Sequence, residues 1–156
     1  GVLPDRHDGQ LRGLRGWGCD QPSRCSLRRP AVIRHERLAR MLDQRACEGR
    51  ATSLVTIHSF TKMYKGKERE VELGILFDRD ARIADRLIKA FPKVDVRLNE
   101  PYGPKDGVLH TLNLHAAPRG LKSAMIEIRN DFIANERGQN EWAQRLAMPL
   151  IHATTK

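Results

Sequence analysis

Ser53-Leu54-Val55-Thr56-Ile57-His58-Ser59-Phe60 and Ala124-Met125-Ile126-Glu127-Ile128-Arg129 decide how this chain is read. Each is a run of apolar, strand-forming residues that meets a group capable of metal or proton chemistry. Near-continuous apolar runs mark the central strands of an α/β sheet, because both faces of such strands are covered. In these sheets ligands gather outside the carboxyl ends of the strands. A histidine and a glutamate at two such ends are therefore expected to face one crevice.

The pattern around these runs alternates between helix and strand. Val32, Ile33, Leu38, Met41 and Leu42 have helical spacing from about Ala31, with Gly49 as the C-cap. Thr52–Ile57 is the first predicted strand, and a polar, basic stretch with a turn at Gly66 follows. Val71–Phe77 is the second strand. Asp80 is placed to N-cap a helix running to about Ala90, with Ile83, Leu87 and Ile88 inward. Val94–Leu98 is the third strand, Asn99–Gly107 a loop, and His110–Ala117 a short helix stopped by Pro118 and Gly120. Ser123–Ile128 is the fourth strand. A last helix is expected from about Gln139 to Ile151, burying Trp142, Leu146 and Leu150. Alternation of this kind predicts an α/β fold with a mixed, largely parallel sheet.

Composition bounds the alternatives. The 156 residues suffice for one domain with a core of its own. No apolar run approaches the roughly 20 residues that span a bilayer, and no basic start followed by an apolar stretch marks a signal peptide, so a cytoplasmic location is expected. Cys19, Cys25 and Cys47 lack Cys-x-x-Cys spacing, which argues against both a disulfide framework and a zinc knuckle. The net charge of +9 is dispersed, with no block of five like charges, and aromatic residues are only 5% of the chain. A solvated basic surface therefore explains the charge better than nucleic-acid binding, which would need aromatic platforms between the basic groups. Residues 1–50 hold 11 arginines, no lysine and all three cysteines, whereas all eight lysines lie in 51–156. Residues 1–30 lack periodicity and are expected to be loop or disordered, with the α/β domain beginning at 31.

The candidate site residues each carry two readings. His58 could bind zinc through a neutral imidazole, or it could be a core or capping histidine. Glu127 and Arg129 share one strand face. Glu127 could be a general base, or the two could form an internal ion pair. Asn99-Glu100-Pro101-Tyr102 could line the same crevice, or simply form a turn. His110 and His115, five apart, are expected to be surface groups.

The order of the pieces is informative beyond any one of them. Leu54-Val55-Thr56-Ile57-His58-Ser59-Phe60-Thr61, Tyr64-Lys65-Gly66, Leu73-Gly74-Ile75-Leu76-Phe77-Asp78, Asn99-Glu100-Pro101-Tyr102, Arg119-Gly120-Leu121, Ile126-Glu127-Ile128-Arg129-Asn130-Asp131, Gly138-Gln139 and Trp142-Ala143-Gln144-Arg145-Leu146 resemble the carboxyl-terminal half of the N-formylglutamate amidohydrolase family. The resemblance covers about residues 31–147. It implies a partial three-layer α/β/α fold similar to zinc-dependent exopeptidases, with zinc as cofactor and a small N-acylated amino acid as substrate. It maps His58 onto a zinc ligand and Glu127 onto the general base. Arg129, Asn99 and Tyr102 become the candidates for holding the substrate. The implied reaction turns N-formyl-L-glutamate and water into formate and L-glutamate, a step of histidine breakdown.

The other zinc ligands of the family come from an amino-terminal half that is not recognisable here; His7-Asp8 and His35-Glu36 are the nearest substitutes. Family membership with an incomplete zinc site is thus expected, together with an exposed sheet edge through which copies could associate. A non-catalytic module of the same fold and a basic nucleic-acid binder are the competing readings.

Overall fold

The computed structural model describes residues 30–155. Helix α1 (Pro30–Cys47) is followed by strand β1 (Ser53–Phe60) and a small hairpin of β2 (Met63–Tyr64) and β3 (Lys67–Glu68). Strand β4 (Leu73–Leu76), helix α2 (Ala84–Leu87) and strand β5 (Val96–Leu98) come next. Helix α3 (His110–His115), strand β6 (Lys122–Arg129) and helix α4 (Glu136–Thr155) complete the chain. Cys19, Cys25, His7 and all but the last residue of the expected irregular segment 1–30 lie outside the described residues.

The main sheet has the order β1-β6-β4-β5. β1 and β6 run parallel, as do β4 and β5, and the two pairs meet antiparallel where β6 adjoins β4. Alternation along the strands sends opposite sets of side chains to opposite faces. On one face Leu73, Ile75, Ala124, Ile126 and Ile128 pack with Ile83 and Leu87 of the α2 region and with Trp142 and Leu146 of α4. On the other, Leu76 and Met125 pack with Leu109 and Leu112 at α3. Helices on both faces of a mixed, largely parallel sheet make this the expected α/β/α arrangement. β1 is the outermost strand, with no neighbour on its far side among the described residues.

Local chemistry explains most element ends, and several differ from the sequence reading. α1 stops as expected: Gly49 is left-handed at φ 65°, and its N–H and that of Arg50 donate to the carbonyls of Ala46 and Arg45 in a Schellman closure. Its apolar stripe is less buried than expected, however. Leu42 is buried, but Val32, Ile33 and Met41 are exposed, because α1 sits at the periphery against α3. β1 extends beyond the expected Ile57 to Phe60, so His58 lies inside the strand. The helix expected over 80–90 is shorter: Asp80 spends its carboxylate on the N–H and guanidinium of Arg82, and regular turns run only over Ala84–Leu87 before tightening to a 3₁₀ turn. α4 starts earlier and ends later than expected, passing Pro149.

His110 is exposed, as expected, but His115 departs from the surface role expected of it. His115 is buried, and its Nε2 lies 2.8 Å from Nδ1 of His35. The His35 ring stacks on His115 and meets His110 edge to face. Burial, with His35 and Arg119 nearby, holds His115 below the usual histidine range. A histidine with a depressed folded-state pKa adds stability above its unfolded value near 6.5 that is lost as pH falls. Acidification from pH 7 to pH 5 should therefore lower the hydrogen-exchange protection across α1, taken relative to the intrinsic amide rate at each pH, and His115→Gln should reduce that loss. Equal acid sensitivity in both chains would refute the assignment.

A second constraint lies at Gly74. A Cβ there would stand 2.1 Å from the carbonyl oxygen of Glu100, so the 99–102 loop rests directly on the sheet at this point. Gly74→Ala should cost about 2 kcal/mol or more and shift the loop, seen as a lower melting temperature and altered Tyr102 resonances. An unchanged melting temperature would contradict this contact.

Candidate functional site

The strand pairing aligns a row of residues across one face of the sheet. His58 on β1 opposes Glu127 on β6, Glu127 opposes Gly74 on β4, and Gly74 opposes Arg97 on β5. Directly opposed residues project on the same side, so His58 and Glu127 lie next to each other on one face of the sheet. Phe60 and Arg129 form the next row. His58 is exposed at the sheet edge, whereas Glu127 keeps only 4% of its surface exposed. The burial of Glu127 follows from its central strand and from the loop held over Gly74.

A buried carboxylate is tolerated when it is paired or neutral. Glu127 Oε2 has no hydrogen-bond partner, and the same is true of buried Thr56 Oγ1, two residues before His58 on the same face. Burial pushes the Glu127 carboxyl up to about 7, with Arg69 pulling weakly the other way. A carboxyl group tuned to neutrality beside an exposed histidine has the properties of a proton acceptor awaiting a ligand.

Arg129 is not the partner of Glu127. Its Nε and Nη2 donate to the Asp131 carboxylate at 2.8 and 3.2 Å, and its Nη1 donates to the carbonyls of Arg69 and Glu70 at 3.2 and 3.0 Å. The alternative of an internal Glu127–Arg129 ion pair is thereby replaced by an Arg129–Asp131 pair. Asn99 is also committed to the backbone: left-handed at φ 54°, it accepts the Phe77 N–H on Oδ1 and donates its own N–H to Ile75. β5 runs opposite to β1 and β6, which puts Asn99 toward the other edge of the sheet from Phe60 and Arg129. The loop then returns over Gly74 and delivers Tyr102 to the site, where its hydroxyl accepts from Arg69 Nη1 at 3.3 Å.

Arg69 is the site residue that sequence reasoning missed. It sits in a polar, basic stretch with no periodicity, and only the hairpin β2–β3 folds it back. The Lys62 carbonyl accepts its N–H at 2.8 Å, and the guanidinium lies 4.3, 5.0 and 5.6 Å from the rings of Tyr64, Tyr102 and Phe60. The one available signal was the aromatic set Phe60, Tyr64 and Tyr102 surrounding it.

Residues 35–134 match the N-formylglutamate amidohydrolase family. The chain belongs to that family. Among curated proteins none matches. A crystal structure of a gene product from Agrobacterium tumefaciens superposes with a TM-score of 0.73 at 47% sequence identity, over 78% of this chain and 49% of that one. The chain thus spans about half the length of that neighbour. His58, Arg69, Tyr102, Glu127 and Arg129 lie within the matched range.

Catalytic zinc takes three protein ligands. His58 is the candidate expected from the sequence, and no group of three or more His, Cys, Asp or Glu side chains among the described residues comes together to hold an ion. The described residues of this N-formylglutamate amidohydrolase family member therefore do not by themselves form a zinc site.

The Glu127 environment has a measurable consequence. Its folded pKa of about 7 exceeds the 4.5 of a free glutamate, so the folded state holds a proton the unfolded state releases. Ionisation therefore removes stability as pH rises from 4.5 to 7. At 1.4 kcal/mol per unit the loss is on the order of 3 kcal/mol by pH 8. Glu127→Gln should raise the melting temperature at pH 8 and do little at pH 4.5. The same effect at both values would exclude the buried-carboxylate account.

Proposed function

We propose that this family member acts on a small N-acylated amino acid, N-formyl-L-glutamate, hydrolysing its amide to formate and L-glutamate. The observation that carries the reading is the buried, unpartnered Glu127 carboxylate, held near neutrality and aligned with His58. Membership of the family supports hydrolysis of an amide.

The chain's residues divide the work as follows. Glu127 accepts a proton from the attacking water as its oxygen bonds to the formyl carbon. It then passes that proton to the departing amine nitrogen as the C–N bond breaks. A base with a pKa near the working pH serves both steps, since it takes and returns a proton at low cost. Zinc is the cofactor the family resemblance implies, and His58 is the ligand this segment offers it; no step is assigned to the metal. Tyr102 contacts substrate beside Glu127, while Arg129 and Asn99 hold the segments that carry Arg69 and Tyr102. The edge of β1, unpaired among the described residues and with Ile57 57% exposed, supports association with a second copy. Among the described residues no helix is long and apolar enough to cross a membrane.

Formate release from N-formyl-L-glutamate, measured with zinc supplied, tests the reading. Glu127→Gln should lower activity roughly 10²–10⁴-fold. Full activity in that variant would sink the assignment. No formate release from the unmodified chain would favour the non-catalytic module.

A further inference from the structure

The site contains a second group whose hydrogen-bonding capacity is unspent. The Arg69 guanidinium has five N–H donors. Nη1 donates to the Thr61 carbonyl at 3.2 Å and to the Tyr102 hydroxyl oxygen at 3.3 Å. The Nε and Nη2 groups make no hydrogen bond among the described residues. Nε–H and Nη2–H are the parallel pair that grips a carboxylate with two bonds at once. Arg69 is thus tied down by one nitrogen while its fork stays open.

The surroundings hold that fork still. Tyr64, Tyr102 and Phe60 place their rings within 6 Å of the guanidinium, which limits rotation of its plane and adds cation–π attraction. Arg129 donates to the Arg69 carbonyl and so anchors the backbone beneath it. Asp131, the nearby acid, is already paired with Arg129. Glu127 feels the charge of Arg69 but makes no ion pair with it. A fixed cation with an open fork beside an unpaired proton acceptor is complementary to a ligand carrying a carboxylate next to the bond being cleaved.

We propose that Arg69 is the specificity-determining residue of this site: it binds a carboxylate of the substrate in bidentate fashion and orients the acyl group toward Glu127. The proposal rests on the amidohydrolase reading for the identity of the substrate, but not for the presence of an anion site.

Binding, not turnover, is the test. The unmodified chain is titrated with N-formyl-L-glutamate and separately with its dimethyl ester, by calorimetry and by the Nε–H resonance of Arg69. The acid should shift that resonance and the ester should not. Arg69→Met should weaken acid binding roughly 10- to 100-fold and leave ester binding as it was. Arg69→Lys should restore part of the loss, since it returns the charge without the fork. Tyr102→Phe, which keeps the ring and removes the hydroxyl, should cost less than Arg69→Met. Unchanged acid binding in Arg69→Met overturns the proposal. So does an equal loss of acid and ester, which would make Arg69 a packing residue, and so does an unmodified chain whose Arg69 resonance ignores the acid. If Arg69 governs acid binding but no formate is released, the carboxylate site stands and the amidohydrolase reading falls. If Glu127→Gln abolishes turnover while Arg69→Met leaves acid binding intact, the reverse holds.

Discussion

The site depends on β6 lying between β1 and β4. That position buries Glu127 from both sides, sets it opposite His58, and sets it opposite a residue with no side chain. Gly74 is needed there because the Glu100 carbonyl fills the space a Cβ would occupy. The loop that seals Glu127 from water also carries Tyr102. One strand pairing and one close backbone approach therefore produce the burial, and burial produces the raised pKa.

Around Glu127 the polar groups are sorted into those used for architecture and those left open. Arg129 gives Nε, Nη1 and Nη2 bonds to Asp131 and to the hairpin backbone. Asn99 secures the ends of β4 and β5. The open groups are few: one oxygen of Glu127, the Thr56 hydroxyl, the exposed ring of His58 and the fork of Arg69. Buried polar atoms without partners are rare in native folds and point to water or ligand. Their convergence on one face of the sheet is what gives the family relationship a chemical meaning in this chain.

The opposite face is ordinary core. Ile126 and Ile128 alternate with Met125 and Glu127, so the strand that presents the carboxylate also seats α4 through Trp142 and Leu146. Stability and site are thus carried by the same eight residues of β6. The His35–His115 contact, by contrast, fastens α1 to α3. It gives the periphery a dependence on pH that is separate from that of Glu127.

The sequence by itself determined the alternation of helices and strands and placed His58 and Glu127 on two apolar strands, because apolar runs of strand length are local properties, whereas the pairing of β1 with β6 that sets the two side by side is tertiary. It also determined family membership, through words such as Thr56-Ile57-His58-Ser59-Phe60 and Ile126-Glu127-Ile128-Arg129 kept in series. It could not decide the partners of the charged groups. An internal Glu127–Arg129 pair was as plausible as a free Glu127 base, and only the path of the chain after β6 gave Arg129 to Asp131 instead. Strand direction was equally hidden: β5 was expected to end at the site, but it runs antiparallel to β6, and Tyr102 arrives by a returning loop instead. Arg69 and the buried His115 were illegible for the same reason. Their environments are assembled from segments distant in sequence, and burial, which sets both pKa and hydrogen-bond satisfaction, exists only once those segments are packed.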